Sequence, residues 1–154
     1  MGADLYIEKL EKIVMKEFPY KKDFSSDDYE QREALREKYC SYYRDSYNAT
    51  NLMWLVGFSY WSPPDEFKFL KGNGNLSRKG VKAFIEFINN KEEEFNDMLN
   101  PKILKLYLES KHAKVDDDEN TPIEWSKFFT AKRERLLKFL QTADEHKSTI
   151  QWSV

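Results

Sequence analysis

The segment from Tyr39 to Trp61 concentrates the side chains that could do chemistry. It holds Tyr39, Tyr42, Tyr43, Tyr47, Trp54, Phe58, Tyr60 and Trp61, eight of the chain's 24 aromatic residues. Interleaved with them are Arg44, Asp45, Ser46, Asn48, Asn51 and Ser59. If one helix runs through, Tyr43, Tyr47 and Trp54 share a seam at i, i+4 and i+11. Arg44, Asn48 and Asn51 share the adjacent seam at i, i+4 and i+7. An aromatic wall beside an arginine and two amides is suited to a planar or anionic ligand. Rings stack, the guanidinium pairs with the anion and the amides fix orientation. The same residue types anchor protein interfaces. The candidate binding set is therefore Tyr43, Arg44, Asp45, Tyr47, Asn48, Asn51, Trp54, Tyr60 and Trp61. The structural alternative is that these rings are core and that Arg44 and Asp45 tie two elements together. A third reading makes Asp45, Tyr47 or Asp4 the acid–base groups of a small enzyme. That requires convergence within hydrogen-bond reach, which spacing does not provide, so binding is favoured over catalysis.

The remaining candidates are weaker. Asp116-Asp117-Asp118-Glu119-Asn120 resembles the start of a calcium loop, but Thr121 stands where such a loop needs glycine and Lys127 where it needs glutamate. A solvated acidic loop is the better reading. His112 and His146 have no ligand-spaced partner, so no metal is expected. Cys40 has no neighbouring histidine and is expected in the core beside the tyrosine stripe. Gly72-Asn73-Gly74 lacks the third glycine and the preceding strand of a dinucleotide loop, and no phosphate loop or nucleophile elbow occurs. Lys102, Lys105, Lys111 and Lys114 read as a solvated face. No cofactor is implied.

Composition sets the frame for these groups. The 154 residues carry 25 basic and 27 acidic side chains, a net charge of −2. A domain that grips a phosphate backbone usually shows a clear positive excess, so a nucleic-acid partner is not expected. Charged residues make up 34% of the chain, yet 16% are aromatic, which separates it from disordered chains. Five glycines and five prolines favour long regular elements over many turns. One cysteine excludes an internal disulfide. The absence of a long apolar run or a secretion signal argues for a cytoplasmic protein with no membrane association. Gly2 is not followed by the serine or threonine at position 6 that a myristoylation signal carries.

The periodicity predicts the following elements. Leu5, Leu10, Ile13, Val14 and Phe18 mark a helix over residues 4–18, although Ala3 to Ile7 also reads as extended. Ser25-Ser26-Asp27-Asp28 caps a second helix, whose stripe runs through Leu35, Tyr39, Tyr42 and Tyr43. That helix either continues or gives way to a fresh one over Ala49–Val56, capped by Asn48 and ended by Gly57. Ser62-Pro63-Pro64-Asp65 is a break. Residues 65–75 form a loop held by Phe67, Phe69 and Leu70, with Gly72-Asn73-Gly74-Asn75 as its tip. Ser77 caps a helix carrying Val81, Phe84, Ile85 and Ile88, with a weak point at Asn89-Asn90 before Phe95, Met98 and Leu99. Asn100-Pro101 starts another, with Ile103, Leu104, Tyr107 and Leu108 as its stripe. Thr121-Pro122-Ile123-Glu124 opens the last, which carries Trp125, Phe128, Phe129, Leu136, Phe139, Leu140 and Ala143. The tail Ile150–Val154 alternates as a strand does. The expectation is a single, mainly α domain over residues 1–154, an irregular bundle of five or six helices. Ala3–Ile7 and Ile150–Val154 are candidates for a small two-stranded pairing of the termini.

Three stretches together resemble a small family of uncharacterised proteins encoded by phages and bacteria. They are Met1-Gly2-Ala3-Asp4-Leu5-Tyr6-Ile7, then Tyr42-Tyr43-Arg44-Asp45-Ser46-Tyr47-Asn48 leading through Leu52 and Trp54 to Ser59-Tyr60-Trp61, and the closing Ile150-Gln151-Trp152-Ser153-Val154. The Arg-Asp-Ser-Tyr-Asn core is the most specific part. The resemblance implies a phage-related origin rather than a chemistry. By analogy with small phage proteins, it points to binding that redirects a host or defence protein. The functional expectation is thus a protein-binding module with a protein partner of unspecified identity. A binder of small, nucleotide-like ligands is the alternative.

Overall fold

The computed structural model describes residues 2–64, 67 and 74–153. The fold is mainly α with a small antiparallel sheet, as expected. Its described elements are β1 (Gly2–Ile7), α1 (Glu8–Glu17), α2 (Ser26–Tyr39), β2 (Tyr42–Ser46), a 3₁₀ turn (Met53–Val56), β3 (Asn75–Leu76), α3 (Arg78–Asn90), α4 (Glu92–Met98), α5 (Pro101–Ser110), α6 (Pro122–Glu145) and β4 (Ile150–Ser153).

The first helix begins four residues later than the expected 4–18. Ala3, Leu5 and Ile7 alternate with Gly2, Asp4 and Tyr6, and the odd residues are buried. This period of two wins because β4 supplies a ladder: Leu5 faces Trp152 and Ile7 faces Ile150. The pairing of the termini therefore forms, and it grows into four strands in the order β2-β1-β4-β3. At its far end Gly74 adopts φ 78°, and its carbonyl accepts a 2.8 Å bond from Trp152 N–H. A Cβ there would run into the Trp152 carbonyl oxygen, so only glycine fits.

α2 also ends earlier than its expected stripe. Ser25 and Asp28 form the full capping box at its start. Cys40 then turns left-handed, φ 53°, and reverses the chain into β2. Tyr42 and Tyr43 thus lie on opposite faces of a strand rather than together on a helix. Cys40 is half-buried at this turn, not in the core. Likewise the helix expected over Ala49–Val56 shrinks to the 3₁₀ turn, ended by Gly57 at φ 73°.

The later helices follow their sequence signals. Ser77, Asn100 and Thr121 each accept a backbone N–H from the first turn they cap. Asn90 ends α3 where the weak point was expected. Three expected stripe residues face outward: Ile13 of α1 is 40% exposed, Ile103 45% and Phe128 38%. The acidic loop is ordered from within, because Asp116 Oδ1 accepts from the N–H of Asp118 and Asn120. Of the loop expected over residues 65–75, Phe67 is buried and Asn75 enters β3. Phe69, Leu70, Gly72 and Asn73 lie outside the described residues.

The core forms between the inner face of the sheet and α3, α5 and α6. At its centre Phe58 stacks on Phe84 at 5.3 Å, and Tyr60 meets Trp152 at 5.1 Å. Such pairs contribute about 1 kcal/mol each beyond the area they bury. α2 sits apart from this core. Arg32 is its one buried residue, and charged and aromatic contacts attach it to the rest.

Candidate functional site

β2 is the outermost strand on its side of the sheet, and its register on β1 pairs Leu5 with Tyr43 and Ala3 with Asp45. Just before it, Ile7 N–H donates to Ser41 O at 2.8 Å. Antiparallel ladders alternate, so Ser41, Tyr43 and Asp45 bond towards β1. The N–H and C=O groups of Tyr42, Arg44 and Ser46 then point away from the sheet. Among the described residues no further strand covers that edge.

Two helices flank it. α2 stands on the outer face, where the Arg36 guanidinium lies over the rings of Tyr6 and Tyr42 at 5.3 and 5.1 Å. α6 stands on the inner face, where Phe139 meets Tyr43 at 6.0 Å. Between them runs a groove of about 750 Å³. Cys40, Tyr42, Tyr43 and Arg44 form its floor. Glu30, Glu33, Ala34, Arg36 and Glu37 line the α2 side, and Arg135, Lys138 and Phe139 the α6 side. One wall is acidic and the other basic.

The floor is held by its own polar contacts. Tyr42 Oη donates to Asp4 Oδ1 at 2.6 Å, and Arg44 Nε lies 3.7 Å from the same oxygen. Burial, then the Asp4 carboxylate, raises the Tyr42 phenol far above its usual range. It therefore acts as a donor, not a base. Arg36 fixes the α2 wall by donating from Nε to Glu11 Oε1 at 2.8 Å and from Nη1 to Glu33 Oε1 at 2.7 Å.

Asp45, on the opposite face of β2, is fully buried. Its carboxylate accepts the N–H groups of Leu52 and Met53 and lies 2.6 Å from Lys132 Nζ. Tyr43 and Tyr60 are buried nearby; burial first, then the Asp45 charge, holds both phenols well above their ordinary range. The Asp45 carboxylate anchors the loop after β2 onto α6 through these contacts, while the buried Tyr43 and Tyr60 hydroxyls beside it have no hydrogen-bond partner among the described residues.

No family model, curated protein or solved structure matches the chain.

The residues singled out from sequence thus part company. Tyr43, Asp45, Asn51 and Tyr60 are core. Asn51 accepts from Trp54 N–H and caps the 3₁₀ turn, while Asn48 accepts from Thr50 N–H in the preceding loop. Arg44 is exposed on the outer face of β2, away from both amides; the shared helical seam does not exist because this segment is a strand. Tyr47 and Trp54 do meet, with rings stacked at 6.4 Å, brought together by the loop. Lys111 Nζ lies 5.3 Å from the Trp54 ring, over a shallow depression of about 310 Å³. Trp61 is 72% exposed.

Sequence reasoning missed both groove walls. Glu30, Glu33 and Glu37 recur at i, i+3 and i+7, and Arg135 and Lys138 at i and i+3, so each set shares a helix face. Those spacings were readable, but a charged helix face is ordinarily solvated. Only the free edge between them marks these faces out. Among the described residues no cluster of metal-ligating side chains occurs, and no helix is long and apolar enough to cross a membrane.

Proposed function

We propose that this chain is a protein-binding module that takes an extended segment of its partner as an added strand on β2. The carrying observation is the unpaired edge of β2, whose Tyr42–Arg44 stretch lies at the floor of a groove between two helices. Exposed edges are normally blunted or covered, because their free N–H and C=O groups template further pairing. Here a groove of about 750 Å³ between the flanking helices opens onto that edge. Strand addition draws affinity from main-chain hydrogen bonds and specificity from alternate side chains. The resemblance to small phage-encoded proteins supplies the setting: a binder that redirects a host or defence protein.

Proline tests this directly. Arg44 directs its N–H outward, so Arg44→Pro removes a docking donor without breaking a bond to β1. Peptides selected from a random library on the wild-type protein should bind Arg44→Ala but not Arg44→Pro. Equal binding by Arg44→Pro, with the fold intact by circular dichroism, would falsify edge pairing.

The depression beside Trp54 and Lys111 supports a second reading, a small planar anion stacked on the indole. Stabilisation by nucleotides in a thermal-shift panel, lost in Lys111→Ala, is the result that reading requires.

A further inference from the structure

We infer that the strand occupying the β2 groove carries alternating charge, with basic side chains towards α2 and acidic side chains towards α6. This rests on the edge-pairing reading above. Successive side chains of an added strand point to opposite faces of the sheet. One set therefore meets the α2 wall and the next set the α6 wall. On α2, Arg36 already engages Glu11 and Glu33, while Glu30 and Glu37 form no ion pair among the described residues. On α6, Arg135 and Lys138 form none either. The two walls carry opposite charge yet do not bridge the groove to each other. Both remain available to an occupant.

The same charges argue against a second copy of this chain. Pairing β2 with its own copy about a twofold axis normal to the sheet keeps each face on its own side. Arg44 would then lie across from Arg44 in the register of greatest overlap. The acidic α2 walls would face each other, and so would the basic α6 walls. Like charges directly opposite across strands are unfavourable. A foreign segment of alternating sign relieves both wall conflicts.

The test uses the full chain and four ten-residue peptides that alternate Lys-Glu, Lys-Thr, Thr-Glu and Thr-Gln, with binding followed by fluorescence anisotropy at low and high salt. The Lys-Glu peptide is expected to bind about tenfold more tightly than Thr-Gln, with the single-sign peptides between them, and the advantage should shrink in salt. In the double variant Arg135→Glu, Lys138→Glu the Lys-Thr peptide should overtake Lys-Glu. An unchanged ranking in that variant, equal binding of all four, or no binding of Lys-Glu at millimolar concentration overturns the charge inference. The edge reading fails separately, if Arg44→Pro and Ser46→Pro (a second outward position) both bind as the wild type does. A dimer in sedimentation that Arg44→Pro dissociates would also overturn the inference, by making the occupant a second copy.

Discussion

Lys132 Nζ sits 2.6 Å from Asp45 Oδ1, with the two side chains 5% and 0% exposed. The ammonium also donates to Thr50 O at 2.6 Å. A long helix is thereby tied to the strand that floors the groove and to the loop that leaves it. Lys132→Ala strands a buried carboxylate, which typically costs about 3–5 kcal/mol. Urea unfolding measures this. Adding Asp45→Asn to Lys132→Met should recover much of the loss, because the amide oxygen still accepts from Leu52 and Met53. A loss below about 1 kcal/mol in Lys132→Ala would mean the pair contributes little.

Arg36 joins four partners through one side chain: Glu11 on α1, Glu33 on its own helix and the Tyr6 and Tyr42 rings. α2 has little apolar attachment, so this guanidinium positions its wall. Arg36→Ala should destabilise the protein by about 2 kcal/mol, and Arg36→Lys should restore less than half of that, since an ammonium cannot fork or lie flat on a ring. Hydrogen exchange should rise in α2 before it rises in α6. Uniform exchange across both helices would contradict this.

Gly74 has no substitute at its position. Its φ of 78° and the close approach of the Trp152 carbonyl penalise any side chain. Gly74→Ala should cost about 2 kcal/mol through left-handed strain and displaced pairing. The loss should appear in thermal unfolding and as weaker amide protection at Trp152, whose N–H donates to Gly74 O. An unchanged Tm would show that the backbone there adjusts freely.

Asp116 gives the acidic loop a signature in acid. The Asn120 N–H first, then the Asp118 N–H and Lys114, lower its carboxyl to about 2. The folded value lies below the unfolded value of about 3.9. Its contribution to stability is therefore complete above about pH 4 and lost as pH falls towards 2. The Tm gap between wild type and Asp116→Ala should be constant above pH 4 and close on acidification. A gap that persists unchanged at pH 2 would exclude this linkage.

Much of the architecture was legible along the chain because its causes are local. Ser25, Ser77, Asn100 and Thr121 announce helix starts by side-chain chemistry within three residues, and Gly57 announces a stop. The alternation in Ile150–Ser153 marks a strand before any partner is known. Tyr42–Ser46 was not legible. Its residues suit a helix stripe or a strand equally, and the decision comes from β1, nearly forty residues away, which offers a ladder once β4 has paired with it. The site depends on the same long-range event. Composition and spacing determined that aromatic residues and Arg44 would cluster around this segment. Which of them are core, which is edge, and that two charged helix faces enclose a free strand were decided by tertiary structure, because strand pairing and burial couple residues that sequence separation keeps apart.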